Sequence, residues 1–267
     1  MTHRARRLPA LLLALAAGCG GDDGPQGSTP PPRSASNPGP AADTGAGPEA
    51  SADPTSGDSN LAALRAAVCD TIDSSLDCAR AIEAHRLPDA AGVARSGDTL
   101  MLRLRTGDTV RLADRSSGEH PVRTYHSYQD HWAEPGLYVI RKQYYEGSEF
   151  LLVDDSTGTK TRLPAWPVRA PSGGRFAVFS LDLVAGYGPN TLQIWTIEDG
   201  TPTLTWESEP SQWGPVAGSW ASGDTLRFTQ YGYCDQLGRE GRDMCERRAV
   251  LHHEGGTWHL AVGDELR

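Results

Sequence analysis

The chain has 267 residues, and 25 Lys and Arg against 34 Asp and Glu give a formal net charge of −9. That length fits one or two domains. The acidic balance argues against nucleic-acid partners, which need a basic patch, and against docking on anionic lipid head groups.

Arg4, Arg6 and Arg7 precede the apolar run Pro9–Ala17. A membrane span needs about 20 apolar residues, so this run is too short to stay as an anchor and reads as a secretory signal. No other segment of the sequence is apolar enough to cross a bilayer. "AAGC", Ala16 to Cys19, resembles the lipobox of bacterial lipoproteins, with the Leu that the family prefers displaced one place to Leu15. The resemblance implies cleavage before Cys19, diacylation of its sulfur and acylation of the new amino group. Several acyl chains at about 0.8 kcal/mol per buried CH₂ anchor a protein where one chain is marginal. Gly20 stands where an inner-membrane retention signal would carry Asp. The resemblance therefore implies the outer membrane, with the outer leaflet of the inner membrane as the alternative. Loss of the signal peptide, residues 1–18, removes three arginines and no acid and leaves −12.

Residues 19–60 form the next segment. From Gly20 to Asn60 there is no Leu, Ile, Val, Met, Phe, Tyr or Trp. With nothing apolar to offset its ordering entropy, such a stretch is expected to be disordered and to act as a lipid-anchored tether.

Residues 61–96 read as a helical hairpin. Cys69, Cys78, Cys234 and Cys245 form an even set in an oxidising compartment, and proximity favours Cys69–Cys78 and Cys234–Cys245. One helix through Cys69 and Cys78 would hold them about 13 Å apart, beyond disulfide reach. The chain should therefore break near "DTIDSS", with Asp73 or Ser74 capping the second helix. Cys234 and Cys245 flank a polar loop between strand-like runs, and clamping it is worth about 3 kcal/mol in the chain-entropy account.

Residues 97–267 turn to strands. "RTGDTVRLAD", "STGTKTRLPA", "EDGTPTLTWE" and "EGGTWHLAVG" place Gly107, Gly158, Gly200 and Gly256 at tight turns after apolar strands, where hairpins need positive φ. "PGLYVIRKQ", "SGGRFAVFSLD" and "SGDTLRFTQYGY" open the units, which occur three times with a half copy near residues 96–114. "APSGGRFAVF" and "LLVDDSTGTKTRL" resemble the blades of TolB-type and WD40-type β-propellers, though Ser172-Gly173-Gly174 lacks the family's Pro-Asp and no unit carries the WD pair. Mainly β, with a small or incomplete propeller-like set of antiparallel meanders, is the expected fold; a sandwich or rolled meander is its rival. The run from "YYEGSEFLLVDDSTG" through "AGYGPNTLQIWTI" to "WGPVAGSW" is similar to uncharacterised lipoproteins of Gram-negative bacteria. That resemblance bears on fold and address and implies no activity.

Chemistry is sparse. There is no GxSxG nucleophile elbow and no Walker or Rossmann glycine loop. "DDSTG" resembles an aspartic-protease turn, but its spacing fits a hairpin and no second aspartyl loop exists. His252, His253 and His259 lie on both arms of a hairpin, with His253 able to meet His259; His120, His126 and His131 gather earlier. Metal centres want three or four converging ligands, so no metal and no cofactor is expected. Tyr144, Tyr145, Glu146, Asp182, Tyr187 and Asn190 occupy turns or connections, where recognition commonly sits. An envelope protein or glycan is the expected partner besides the membrane. The chain is thus read as a binding or assembly module without a catalytic motif. The alternative is an envelope hydrolase working on glycan or peptide through paired carboxylates. Trp195, Trp206 and Trp220 are expected to fill the core.

Overall fold

The computed structural model describes residues 59–117, 123–238 and 243–263. Cys19, the signal segment, nearly all of the tether and His120 lie outside them. Helix α1 (Ser59–Cys69) and helix α2 (Ser75–Arg86) are separated by a break at residues 70–74. The Ser74 hydroxyl accepts a hydrogen bond from the Asp77 N–H at 3.2 Å, supplying one of the acceptors that a helix start lacks. Cys69 thereby returns to the first turn of α2 and is disulfide-bonded to Cys78, with Cα atoms 5.2 Å apart. The second disulfide joins Cys234 to Cys245.

The strands follow as four antiparallel meanders, each strand pairing with its neighbours in sequence. The first sheet is β1 (Val93–Ser96), β2 (Thr99–Arg103) and β3 (Thr109–Ala113). The second is β4 (Tyr125–Trp132), β5 (Leu137–Gln143), β6 (Ser148–Asp154) and β7 (Lys160–Leu163). The third is β8 (Pro167–Arg169), β9 (Arg175–Ser180), β10 (Thr191–Glu198) and β11 (Thr201–Ser208). The fourth is β12 (Trp213–Ser222), β13 (Thr225–Tyr233), β14 (Met244–Glu254) and β15 (Thr257–Val262). Among the described residues no ladder joins one sheet to another. β1 starts ahead of the expected boundary at residue 97, inside the segment read as helical, because Val93 is buried with Leu100 and Leu102. The four hairpin glycines of the repeat, Gly107, Gly158, Gly200 and Gly256, all have positive φ, at 93°, 74°, 77° and 82°.

Two apolar cores hold the sheets. One unites residues of the second, third and fourth sheets, including Leu137, Val139, Leu152, Phe176, Ile194, Leu226 and Leu251. The other packs Val93, Leu100, Leu102 and Leu112 of the first sheet against Tyr128, Tyr138, Ile140, Leu151 and Val153 of the second. Successive strand residues face opposite sides, so β5 and β6 serve both cores at once. That is why "LYVI" and "FLLV" are continuous apolar runs rather than alternating ones. All seven tryptophans belong to the larger core or pack against it: Trp132 and Trp166 are buried, while Trp195, Trp206, Trp213, Trp220 and Trp258 line its margin.

α2 is bound to this scaffold by charge as well as by Ala79 and Ile82. Buried Glu83 accepts hydrogen bonds from the Tyr128 N–H at 2.7 Å and from Arg95 Nη2 at 2.9 Å, and it also pairs with Arg95 Nε. Asp114 pairs with Arg80 and accepts from the His126 N–H at 2.7 Å. Arg86 pairs with Asp130 of β4. Arg141 is the contrasting case: it is buried, and its guanidinium reaches a hydroxyl, Ser148 Oγ, at 3.4 Å. Burial pulls its pKa down. Among the described helices none is long and apolar enough to cross a membrane.

Candidate functional site

In each four-stranded meander the first and third connections leave one end and the second leaves the other. Polar contacts between turns bring the first ends together. Arg169 Nη2 donates to the Glu134 carbonyl at 2.8 Å, linking the β8–β9 hairpin to the β4–β5 turn. Arg175 Nη1 donates to the Gly223 carbonyl at 3.1 Å and pairs with Asp224 in the β12–β13 turn. The Arg105 N–H in the β2–β3 turn donates to the Asp155 carbonyl at 2.6 Å. We call this the turn end. The β5–β6, β9–β10 and β13–β14 connections leave the opposite, loop end, where Asn190 Nδ2 donates to the carbonyls of Pro210 (2.6 Å) and Trp213 (2.8 Å).

The turn end holds a histidine–carboxylate pair. Asp155 is 5% exposed; its Oδ1 lies 2.6 Å from Arg105 Nε and its Oδ2 lies 3.3 Å from His131 Nε2. The His131 ring stacks on Tyr138 with centroids 4.4 Å apart. Gly136, at φ +88°, lets the β4–β5 turn close on this carboxylate: a Cβ there would lie 2.7 Å from Asp155 Oδ1. The imidazole is thus oriented by a buried acid, as in a catalytic triad. Among the described residues, however, no Ser, Thr or Cys side chain hydrogen-bonds to it. The cluster works as a clamp between the first two sheets.

The loop end carries the residues expected from sequence, and they divide into holders and displayed groups. Tyr144 donates its hydroxyl proton to Glu149 Oε1 at 2.6 Å and lies under Lys142. Asp182 accepts from the Gly186 and Gly188 N–H groups at 2.8 and 2.7 Å. Asn190 accepts from the Asp182 N–H at 3.2 Å while donating to the two carbonyls above. These three shape their loops. Glu146 is exposed, Tyr145 is 62% exposed and Tyr187 is 71% exposed. Val184 and Tyr233, also exposed at this end, went unnoticed in the sequence. Tyr233 was hidden inside a regular alternating strand.

The carboxylates do not assemble around Asp155. Glu146 precedes β6 and Asp155 follows it, so seven strand residues at about 3.3 Å each separate them by roughly 23 Å, well outside the carboxylate spacing of glycosidases. Asp182 likewise sits at the loop end, beyond β9. Burial would raise the Asp182 carboxyl, but the N–H groups of Gly188, Gly186, Tyr187 and Ala185 outweigh it and hold its pKa below the usual range. It is ionised near neutrality and committed to its loop, the wrong state for a general acid.

The histidine hairpin departs from expectation by one register step. Gly255 and Gly256 are the two central turn residues, both at positive φ (58° and 82°), which gives a two-residue hairpin. Glu254 then pairs with Thr257, His253 with Trp258, and His252, not His253, with His259. His126 and His131 do not cluster either: the first lies 3.4 Å from Asp114 and the second 3.3 Å from Asp155, toward opposite ends of β4. Among the described residues no group of three or more His, Cys, Asp or Glu converges as a metal centre.

Three more carboxyls share the behaviour of Asp182. Burial raises Asp114, Glu149 and Asp154 as well, and in each case it is outweighed: by His126 and Arg80 for Asp114, by Tyr144, Lys142 and Arg162 for Glu149, and by Ser156 and Thr157 for Asp154. Their folded pKa values therefore lie below the unfolded ones of about 3.9–4.3. Between the two values the unfolded chain binds more protons, so stability rises with pH there. Their contribution is expected to be complete above about pH 5 and lost as pH falls below about 4. Urea midpoints measured from pH 6 to pH 3 should fall in that window, and less steeply for Asp114→Asn; parallel profiles would contradict the assignment.

No protein-family model matches the chain, and no curated protein matches it.

Proposed function

We propose that this protein is a lipid-anchored component of the bacterial envelope whose four meanders are the blades of a small, open β-propeller, with the loop end as its binding surface. The observation that carries this reading is the contrast between the ends. At the turn end Arg105, His131, Asp155, Arg169, Arg175 and Asp224 are occupied with one another or with backbone. At the loop end Val184 and Tyr187 stand exposed on a connection held from behind by Asp182 and Asn190. Aromatic faces near an exposed acid such as Glu146 suit an extended peptide or a glycan. Consecutive four-stranded meanders packed face to face are the building plan of propeller blades. Cys19, through its lipobox-like context, supplies the anchor, and the outer membrane is its proposed address.

A photo-crosslinking residue placed at Tyr187 in the membrane-bound protein is expected to capture an envelope partner or glycan that the same probe at Thr106 does not. Identical products from both positions, or none from Tyr187, would remove the loop end as the binding surface.

A further inference from the structure

We propose that His252 and His259 form a two-imidazole surface site for a borderline divalent cation of the Zn²⁺ type, with the Glu254 carboxylate as a nearby charge rather than a ligand and water completing the coordination. His252 and His259 are direct cross-strand partners on β14 and β15. Their rings face each other with centroids 5.4 Å apart and an interplanar angle of 29°. An ion held at about 2.0–2.1 Å from a nitrogen of each ring is within reach by rotation about the side-chain torsions, with no backbone movement. Glu254 is two residues beyond His252 and so shares its face; its Oε2 lies 3.9 Å from His252 Nε2.

The backbone presents the pair well. The Gly255–Gly256 turn fixes the register, and β15 is the edge strand of its sheet, so the pair opens to water. Neutral imidazole is a preferred ligand for Zn²⁺, Cu²⁺ and Ni²⁺. His253 is excluded. It points to the other face, packs against Trp258 at a tilt of 43° with centroids 4.9 Å apart and lies 3.6 Å from Asp224. With two imidazoles as the firm protein ligands, the site is open and exchangeable rather than a buried structural centre, and proton competition should weaken it at acid pH.

Zn²⁺ titrated calorimetrically into the detergent-solubilised full-length protein is expected to show a site weakened in both His252→Ala and His259→Ala. Changes one shell further out already cost 10–100-fold, so each of these should cost at least about tenfold, while His253→Ala should bind as the wild type does. Thermal unfolding without metal checks that each variant keeps its fold. In the wild type, Zn²⁺ should shift the imidazole proton resonances of His252 and His259 together and leave those of His253 in place, a readout independent of any variant's stability. The proposal is overturned if the wild type shows no such shift, if both substitutions leave Zn²⁺ affinity unchanged, or if His253→Ala weakens binding equally.

Discussion

Glu83→Ala is expected to lower the free energy of unfolding by about 3–5 kcal/mol, the usual cost of removing one partner from a buried ion pair. Glu83 is 2% exposed, and its two oxygens meet the Arg95 guanidinium, Arg80 and the Tyr128 N–H. Truncation strands a largely buried guanidinium and a backbone donor together, and α2 loses its polar tie to β1 and one of its ties to β4, where Arg86 still pairs with Asp130. Asp114 and the His126 carbonyl still face Arg95, at 3.4 and 2.5 Å, which keeps the loss toward the lower half of that range. Replacing both partners, Glu83→Leu with Arg95→Met, should recover part of the loss, because an apolar pair often matches a buried ionic one. Recovery stays partial, since the Tyr128 N–H would remain unpaired at about 1–3 kcal/mol. Urea unfolding of the three proteins measures this directly. A Glu83→Ala midpoint equal to that of the wild type would show that the cluster contributes no net stability.

Nothing in "CARAIEAHR" marks Glu83 as buried. At the sequence level it is one more acid on an amphipathic helix, and its partners lie 12 and 45 residues further on. The features that could be read were local ones. A hairpin turn at positive φ demands glycine within a few residues of its strands, so Gly107, Gly158, Gly200 and Gly256 marked the meander before any packing was known. Cys69 and Cys78 constrained their own connection in the same way. Sheet membership was only half legible: continuous runs such as "FLLV" announced burial on both faces without naming the neighbours that cover them.

The loop end shows the same boundary at finer scale. Residue type could place Tyr187, Asp182 and Asn190 in one connection, but not separate display from support. Asp182 and Asn190 are spent on backbone N–H and C=O groups, which every residue carries and no side-chain pattern reveals. The histidine register failed for a related reason. A two-residue turn at 255–256 and a three-residue turn over 255–257 were both open on paper, and that one-residue difference in loop length exchanges which histidine meets His259.

Phe176→Ala should be the most damaging single truncation in the larger core, at about 3–5 kcal/mol. Phe176 is fully buried on β9, edge-on to Trp132 of the second sheet at 5.7 Å and stacked on Trp195 of β10 at 5.8 Å. It therefore fills the space between two sheets that no strand ladder joins. Both tryptophans would border the cavity, and neither is free to collapse into it. Arg169 covers Trp132 from one side, with 4.9 Å to the ring centroid, and Trp195 Nε1 is bonded to Gln193 Oε1 at 3.0 Å. Phe176→Leu, which keeps most of the volume, should cost below about 1.5 kcal/mol. Equal midpoints for the two variants would mean that volume at this position does not decide the packing of the second sheet on the third. Phe176 is the second residue of β9, near the turn end, while Asp182 and Asn190 hold the Tyr187 loop from beyond its far end. Phe176→Leu protein that remains folded is accordingly expected to capture the same partner from Tyr187 as the wild type does, which separates the core's contribution to stability from the loop end's contribution to binding.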